Sequence, residues 1–347
     1  MNDGKISRRV AAGVALVAVP LVGMQLYLKH RAAVAAPRTA MEDAVDQTLE
    51  RLRQVDASLI RYREVGKIDT RLAGPRAICL AGGRETPTTQ PNTTSFAAGP
   101  ATLLVAGNNL IRLIADGNVR DISLGDRPFC LATDGDAIFV GFRDHVEVYG
   151  FGGTRQSAWP ALPAGALLTG IAVGASDVYL ADSGRQVVVH ADRSGKVLGE
   201  FGRANQSPGA PGLLLPSPHL HVAIAEDGTV WANNTGRHRM ENYAPDGTFE
   251  RFWGVYGTNA EGFIGCCNPT DFALLADGSF ITAEKGVARV KHYLPDGRVD
   301  CFVASPAAFA ENTPGVGLAA APDGRVFVLD RGAGLVHVFE KTSGGTP

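Results

Sequence analysis

Asp-Gly recurs in this chain at a fixed interval. Asp227-Gly228 and Asp277-Gly278 stand 50 residues apart, and so do Asp246-Gly247 and Asp296-Gly297. Between two apolar runs, Asp-Gly supplies the positive φ that a tight connection between antiparallel strands needs. Residues 170–202, 222–254 and 272–303 then read alike. Each holds an apolar strand, a tight turn, a second strand ending in a polar loop, a third strand, another turn and a fourth strand. The 42 glycines are spread along the chain, as many tight turns require, so the body is all-β and built of repeats.

The residues of these units resemble NHL repeats, whose pattern runs apolar strand, Asp-Gly, "VYVAD", an Asn/Arg loop and "VQVF…DG". The nearest match is DVYLADSGRQVVVHADRSGKVLGEFG at 177–202. The resemblance covers residues 57–341 and implies a six-bladed β-propeller of four-stranded blades, with units starting near Pro75, Pro128, Thr169, Pro218, Pro269 and Pro314. The first unit is stretched by a Thr/Pro/Gly-rich insertion at 82–100, a surface loop by composition. The last unit supplies only three strands before the 342–347 tail, expected to be flexible. An unpaired edge cannot close a ring, so SLIRYREVGKID (58–69) is expected to donate the missing outer strand.

Two elements precede the repeats. Lys5, Arg8 and Arg9 lead into an uncharged stretch from Val10 to Leu28, long enough as a helix to cross a bilayer. Residues 1–31 therefore read as a signal anchor, with a cleaved signal peptide as the alternative. Either reading places the body in the periplasm. Residues 32–56 form a helical linker: Met41, Val45, Leu49 and Leu52 fall on one helical face.

With blade strands lettered A to D from the centre outward, the D-to-A and B-to-C loops emerge on one face of the ring. The Asp-Gly turns emerge on the other. The first face is the chemically richer one. There, Gly265-Cys266-Cys267-Asn268-Pro269 leads into blade 5, and Glu284-Lys285 sits in that blade's B-to-C loop. Blade 4 contributes His219 and His221 on the way in, with Asn234, Arg237 and His238 in its B-to-C loop. Residues 265–286 look like a segment of bacterial membrane-anchored NHL proteins.

The Cys pair admits several readings. Two thiolates and two imidazoles suit zinc or copper, although no C-x2-C spacing is present. A redox thiol could draw on Lys285 or Arg237 for activation. A disulfide, to Cys301 or between the vicinal pair, and burial as small apolar residues complete the set.

Net charge −2 leaves no basic excess for a nucleic-acid partner. No G-x-S-x-G, H-E-x-x-H or phosphate-loop motif occurs. The expected function is a binding module that holds a protein, peptide or small-molecule ligand at its loop face and channel mouth. Its N-terminal helix would contact the membrane, and Trp231, Trp253 and Tyr256 offer aromatic anchors, which core packing explains equally well. Two alternatives stand beside it, and catalysis is left open. One is a propeller-type lyase or hydrolase with a divalent metal (Zn or Ca) in the channel, for which the resemblance offers only His219 and His221. The other is a redox or metal-handling role for Cys266-Cys267.

Overall fold

The computed structural model describes residues 47, 50–82, 102–311 and 313–342. Within them, the strands form six antiparallel sheets of four strands each, arranged as the blades of a propeller. Blades 1 to 3 run consecutively through 75–123, 130–158 and 168–201. Blade 4 comprises Val222–Ile224, Val230–Asn234, Arg239–Tyr243 and Phe249–Trp253. Blade 5 comprises Asp271–Leu274, Phe280–Ala283, Val290–Tyr293 and Val299–Ala304.

Blade 6 takes its three inner strands from Val316–Ala320, Val326–Asp330 and Leu335–Lys341, and its outermost strand from Tyr62–Asp69. The closing strand pairs antiparallel from Tyr62↔Lys341 to Asp69↔Leu335, with one bulge between Glu64 and Gly66. Ile60 also forms a parallel bridge to Phe302, so the same segment touches blade 5. The N-terminal closure expected from the three-strand last unit is thus present.

Burial follows from the stacking of blades. Second strands are covered on both faces by neighbouring blades, so Val230–Asn234 and Val326–Asp330 are buried at every position. The outer strand Arg155–Ala158 is exposed at every position, and three of its four residues are polar. Apolar clusters lie between blades rather than within them. One joins Ile281 and Val290 of blade 5 to Val316, Val326 and Phe339 of blade 6 and to Tyr62 of the closing strand. Another packs Trp231 against Phe280 and Tyr293 across the blade 4–blade 5 boundary.

The Asp-Gly turns behave as their sequence demands. Gly228, Gly247, Gly278 and Gly297 have φ between 80° and 88°. The preceding aspartates accept backbone hydrogen bonds two residues on, as in Asp246 Oδ1 from the Thr248 N–H at 2.9 Å. Residues 1–31, most of the 32–56 linker, most of the 82–100 insertion and the last five residues lie outside the described set. Residues 50–53 are helical. Among the described residues, no helix is long and apolar enough to cross a membrane.

Candidate functional site

The segment 254–270 carries the Cys pair from blade 4 to blade 5, and buried charge holds it in place. Glu284 directly follows the second strand of blade 5 and is fully buried. It receives Lys291 Nζ at 2.9 Å and the Arg289 guanidinium at 2.9 Å. It also accepts the Ile264 N–H at 2.8 Å. The two cations donate onward to carbonyls of the segment itself: Lys291 to Ala260 and Gly262, Arg289 to Thr258 and Gly262. Burial pushes Lys291 down to about 8, although Glu284 opposes the shift. Glu284, a sequence candidate for ligand contact, has both oxygens committed to this clamp.

Hydrogen bonds then shape Gly265–Pro269 residue by residue. His238 sits in the left-handed region at φ 56° and donates from Nε2 to the Gly265 carbonyl at 2.6 Å. The Asn268 side chain donates to the carbonyls of Ile264 and Lys285 and accepts the Lys285 N–H at 2.9 Å. Asn233 bridges neighbouring blades, donating to the Pro269 carbonyl at 2.8 Å and accepting the His221 N–H at 2.6 Å. Asn234 is buried and braces Leu214 and Gly212. Arg237 is exposed, with its guanidinium on the carbonyls of Gly212 and Pro211. Of the blade 4 loop candidates, His238 shapes the Cys segment, while Asn234 and Arg237 support a different loop.

The result is a thiol pair aimed at a cationic mouth. Cys266 is exposed and Cys267 is buried, with their sulfurs 2.8 Å apart. Lys285 Nζ lies 2.9 Å from Ser217 Oγ, and the Ser217 hydroxyl also hydrogen-bonds the Cys267 sulfur. Burial opposes ionisation of Cys267, but the Cys266 hydrogen bond, Ser217 and Lys285 together hold its thiol below the usual range. The hydrogen bond to Cys267 holds Cys266 above that range. The Lys285 charge thus favours the thiolate of Cys267.

His219 and His221 join this cluster through charge rather than as metal ligands. Burial, then Lys285 and Arg331, push His219 down to about 3. His221 Nδ1 faces Asp271 Oδ1 at 3.1 Å, and burial lowers its pKa as well. His219, His221, Cys266 and Cys267 do not assemble as one donor set. Lys285 and Arg331 oppose a further positive charge at His219, and His221 is turned to the Asp271 carboxylate.

Two other expectations change. All five cysteines are free thiols, and Cys301 faces His292 and Asp300 instead of the Cys pair. Trp231 and Trp253 pack against Phe280 in the inter-blade core rather than standing as surface anchors. Tyr256 does remain at the surface, 61% exposed and edge-on to His238. Sequence reasoning missed Ser217, Asn268, Arg289 and Lys291, whose roles depend on partners far away in the chain.

These features define a six-bladed β-propeller closed by its N-terminal strand, with a thiol- and cation-lined cluster on the face of its D-to-A and B-to-C loops. No family model and no curated protein matches the chain. Solved structures do match in fold. A streptogramin B lyase aligns over 81% of this chain and 97% of its own at 11% identity, with a TM-score of 0.53. The WD40 propeller domain of Doa1 aligns over 81% and 98% at 13% identity, also with a TM-score of 0.53. A virginiamycin B lyase from Staphylococcus aureus, solved as a catalytically inactive variant with quinupristin, aligns over 78% and 82% at 14% identity with a TM-score of 0.50. At these identities the likeness is one of fold.

Proposed function

We propose that the chain is an NHL-type propeller acting as an extracytoplasmic, membrane-tethered binding module whose channel mouth holds an anionic group of a protein, peptide or small-molecule ligand. The observation that carries this reading is the half-buried Lys285 ammonium, 2.9 Å from the Ser217 hydroxyl, whose charge with that of Arg331 keeps His219 neutral. A partly buried ammonium flanked by hydrogen-bonding groups suits a carboxylate or similar anion. WD40 propellers and a lyase share the fold, so fold alone does not choose between binding and catalysis. The anchoring rests on the 10–28 stretch and is tested by fractionation: carbonate washing of membranes should leave the protein bound.

The binding reading is tested by affinity capture from solubilised membranes with wild type, Lys285→Met and Arg237→Ala. A ligand of the mouth is lost with Lys285→Met and weakened by salt. Because Arg237 is engaged with backbone carbonyls, Arg237→Ala should matter less. Equal retention by wild type and Lys285→Met would move the binding surface to another face.

A second reading has its own observation, the lowered Cys267 thiol beside Lys285. Such a thiolate is a competent nucleophile or one half of a dithiol redox couple. It predicts that Cys267→Ser abolishes function while leaving ligand capture intact.

A further inference from the structure

The other end of the blade 5–blade 6 boundary carries a second cluster, unconnected with the mouth. A cavity of about 530 Å³ opens there, lined among others by Tyr62, Asp277, His292, Asp323, Arg325 and Lys341. His292 lines it, and at His292 three donor atoms of different chemistry converge. His292 Nδ1 lies 3.3 Å from Asp300 Oδ2, Cys301 Sγ lies 3.4 Å from that same oxygen, and Sγ to Nδ1 is 4.0 Å. Among the described residues this is the only group of three or more His, Cys, Asp or Glu side chains gathered closely enough to share a metal ion.

We propose that His292, Asp300 and Cys301 form a three-ligand site for a divalent metal of zinc type, with the fourth coordination position facing the cavity. Zinc holds nitrogen and oxygen at about 2.0–2.2 Å and sulfur at about 2.3 Å in a tetrahedron, so the edges between ligands come to about 3.3–3.6 Å. The separations here are 3.3, 3.4 and 4.0 Å, so only the sulfur–nitrogen edge must tighten. An imidazole, a carboxylate and a thiolate together suit zinc better than calcium or magnesium, which take oxygen ligands.

The imidazole is already set for this task. His292 Nε2 lies 2.9 Å from Ser279 Oγ, and the Ser279 hydroxyl donates to Asp277 Oδ1 at 2.5 Å. A hydrogen-bond relay from carboxylate through hydroxyl to the far ring nitrogen directs the Nδ1 lone pair into the cluster, as outer partners of metal-bound histidines do. The Tyr62 hydroxyl lies 3.4 Å from Nδ1 on the open side. The position also attracts a cation already. Lys341 Nζ stands 2.8 Å from Asp300 Oδ2 and 3.5 Å from Nδ1, and its side chain is 46% exposed, free to swing out toward solvent. Arg61 holds the other oxygen of Asp300 at 3.1 Å and need not move. On binding, Cys301 gives its proton to solvent, the ammonium leaves, and Zn²⁺ with one thiolate, one carboxylate and a neutral imidazole is electrically balanced.

The test uses the full chain stripped of metal by chelator and titrated with Zn²⁺ and, for its spectrum, Co²⁺. One equivalent should bind, with a cobalt–thiolate charge-transfer band that survives Cys266→Ser/Cys267→Ser and vanishes in Cys301→Ser. Lys341→Ala should bind metal at least several-fold more tightly, because the competing ammonium is gone. This arm stands even if Cys301→Ser fails to fold. Metal should also raise the unfolding temperature of wild type and Lys341→Ala, as a ligand specific for the native state must. A band retained in Cys301→Ser but lost in Cys266→Ser/Cys267→Ser would place the metal at the channel mouth and overturn the proposal. Sub-stoichiometric binding, or affinity unchanged by Lys341→Ala, would overturn it as well.

Discussion

Glu284 and Lys291 form an ion pair at 2.9 Å with neither side chain exposed to solvent, and the loop carrying the Cys pair hangs from it. Replacing the carboxylate would strand Lys291 and Arg289 in the interior. A buried pair broken on one side costs about 3–5 kcal/mol. Glu284→Ala should therefore shift the denaturation midpoint by an amount of that order at an unchanged m-value. A loss below about 1 kcal/mol, within the range of a surface pair, would show that this clamp does not anchor the segment.

Ring closure by Tyr62–Asp69 makes a sharp truncation prediction. Removing residues 1–56 leaves the closing strand intact and should preserve cooperative unfolding. Removing residues 1–69 exposes the edge of Leu335–Lys341 and uncovers the Tyr62 side of the blade 5–blade 6 cluster. That shorter chain should unfold at markedly lower temperature and self-associate through its free edge. Thermal melts together with light scattering would decide it, and equal stability of the two truncations would refute strand closure.

His219 is neutral in the folded protein because burial, Lys285 and Arg331 oppose its protonation, which brings it down to about 3 from 6.5. The unfolded chain takes up this proton more readily than the folded one. Stability is therefore complete above about pH 6.5 and falls as pH drops toward 3. The slope is at most about 1.4 kcal/mol per pH unit for one such group. His221 adds in the same direction. His219→Gln should flatten the profile of unfolding free energy between pH 6.5 and 3. An unchanged slope would place the acid sensitivity elsewhere.

Thiol reactivity should separate the cysteines. Cys266, the exposed member of the pair, should alkylate in the folded protein. Cys130, Cys267 and Cys301, all buried, should label only after unfolding. Removing the ammonium in Lys285→Met should slow labelling of Cys266 several-fold at neutral pH, since Lys285 favours its thiolate and the thiolate fraction falls as the pKa rises. Peptide mass spectrometry after timed alkylation reads each site. Labelling rates unaffected by Lys285→Met would remove the lysine from the thiol's electrostatics.

Much of the architecture was legible because it is written locally. Asp227-Gly228 and its counterparts specify turns through backbone conformation, and apolar runs such as 177–182 specify strands that any blade can pack. Even the closing strand could be anticipated, because a three-strand last unit leaves a pairing debt that only 58–69 can meet. The mouth was located for the same reason: alternating strand direction decides which loops share a face. Its chemistry was not legible. Asn234 reads like a ligand residue and is a brace, while Ser217 reads like linker and touches both Lys285 and Cys267.

The sequence alone determined the number of blades, the order of strands, the face on which the irregular loops gather and the segment that closes the ring. All of these follow from periodicities and turn signals within a few residues of one another. Only the tertiary structure decided which polar residues are free to act. Glu284, Lys291, Asn234 and Asp271 are drawn into buried pairs because desolvated charge must find a partner, and those partners lie on other strands or other blades. The same packing brings Tyr62, from the start of the described chain, to His292, 230 residues away. Apposition over that distance depends on ring closure, a global condition that no local pattern encodes.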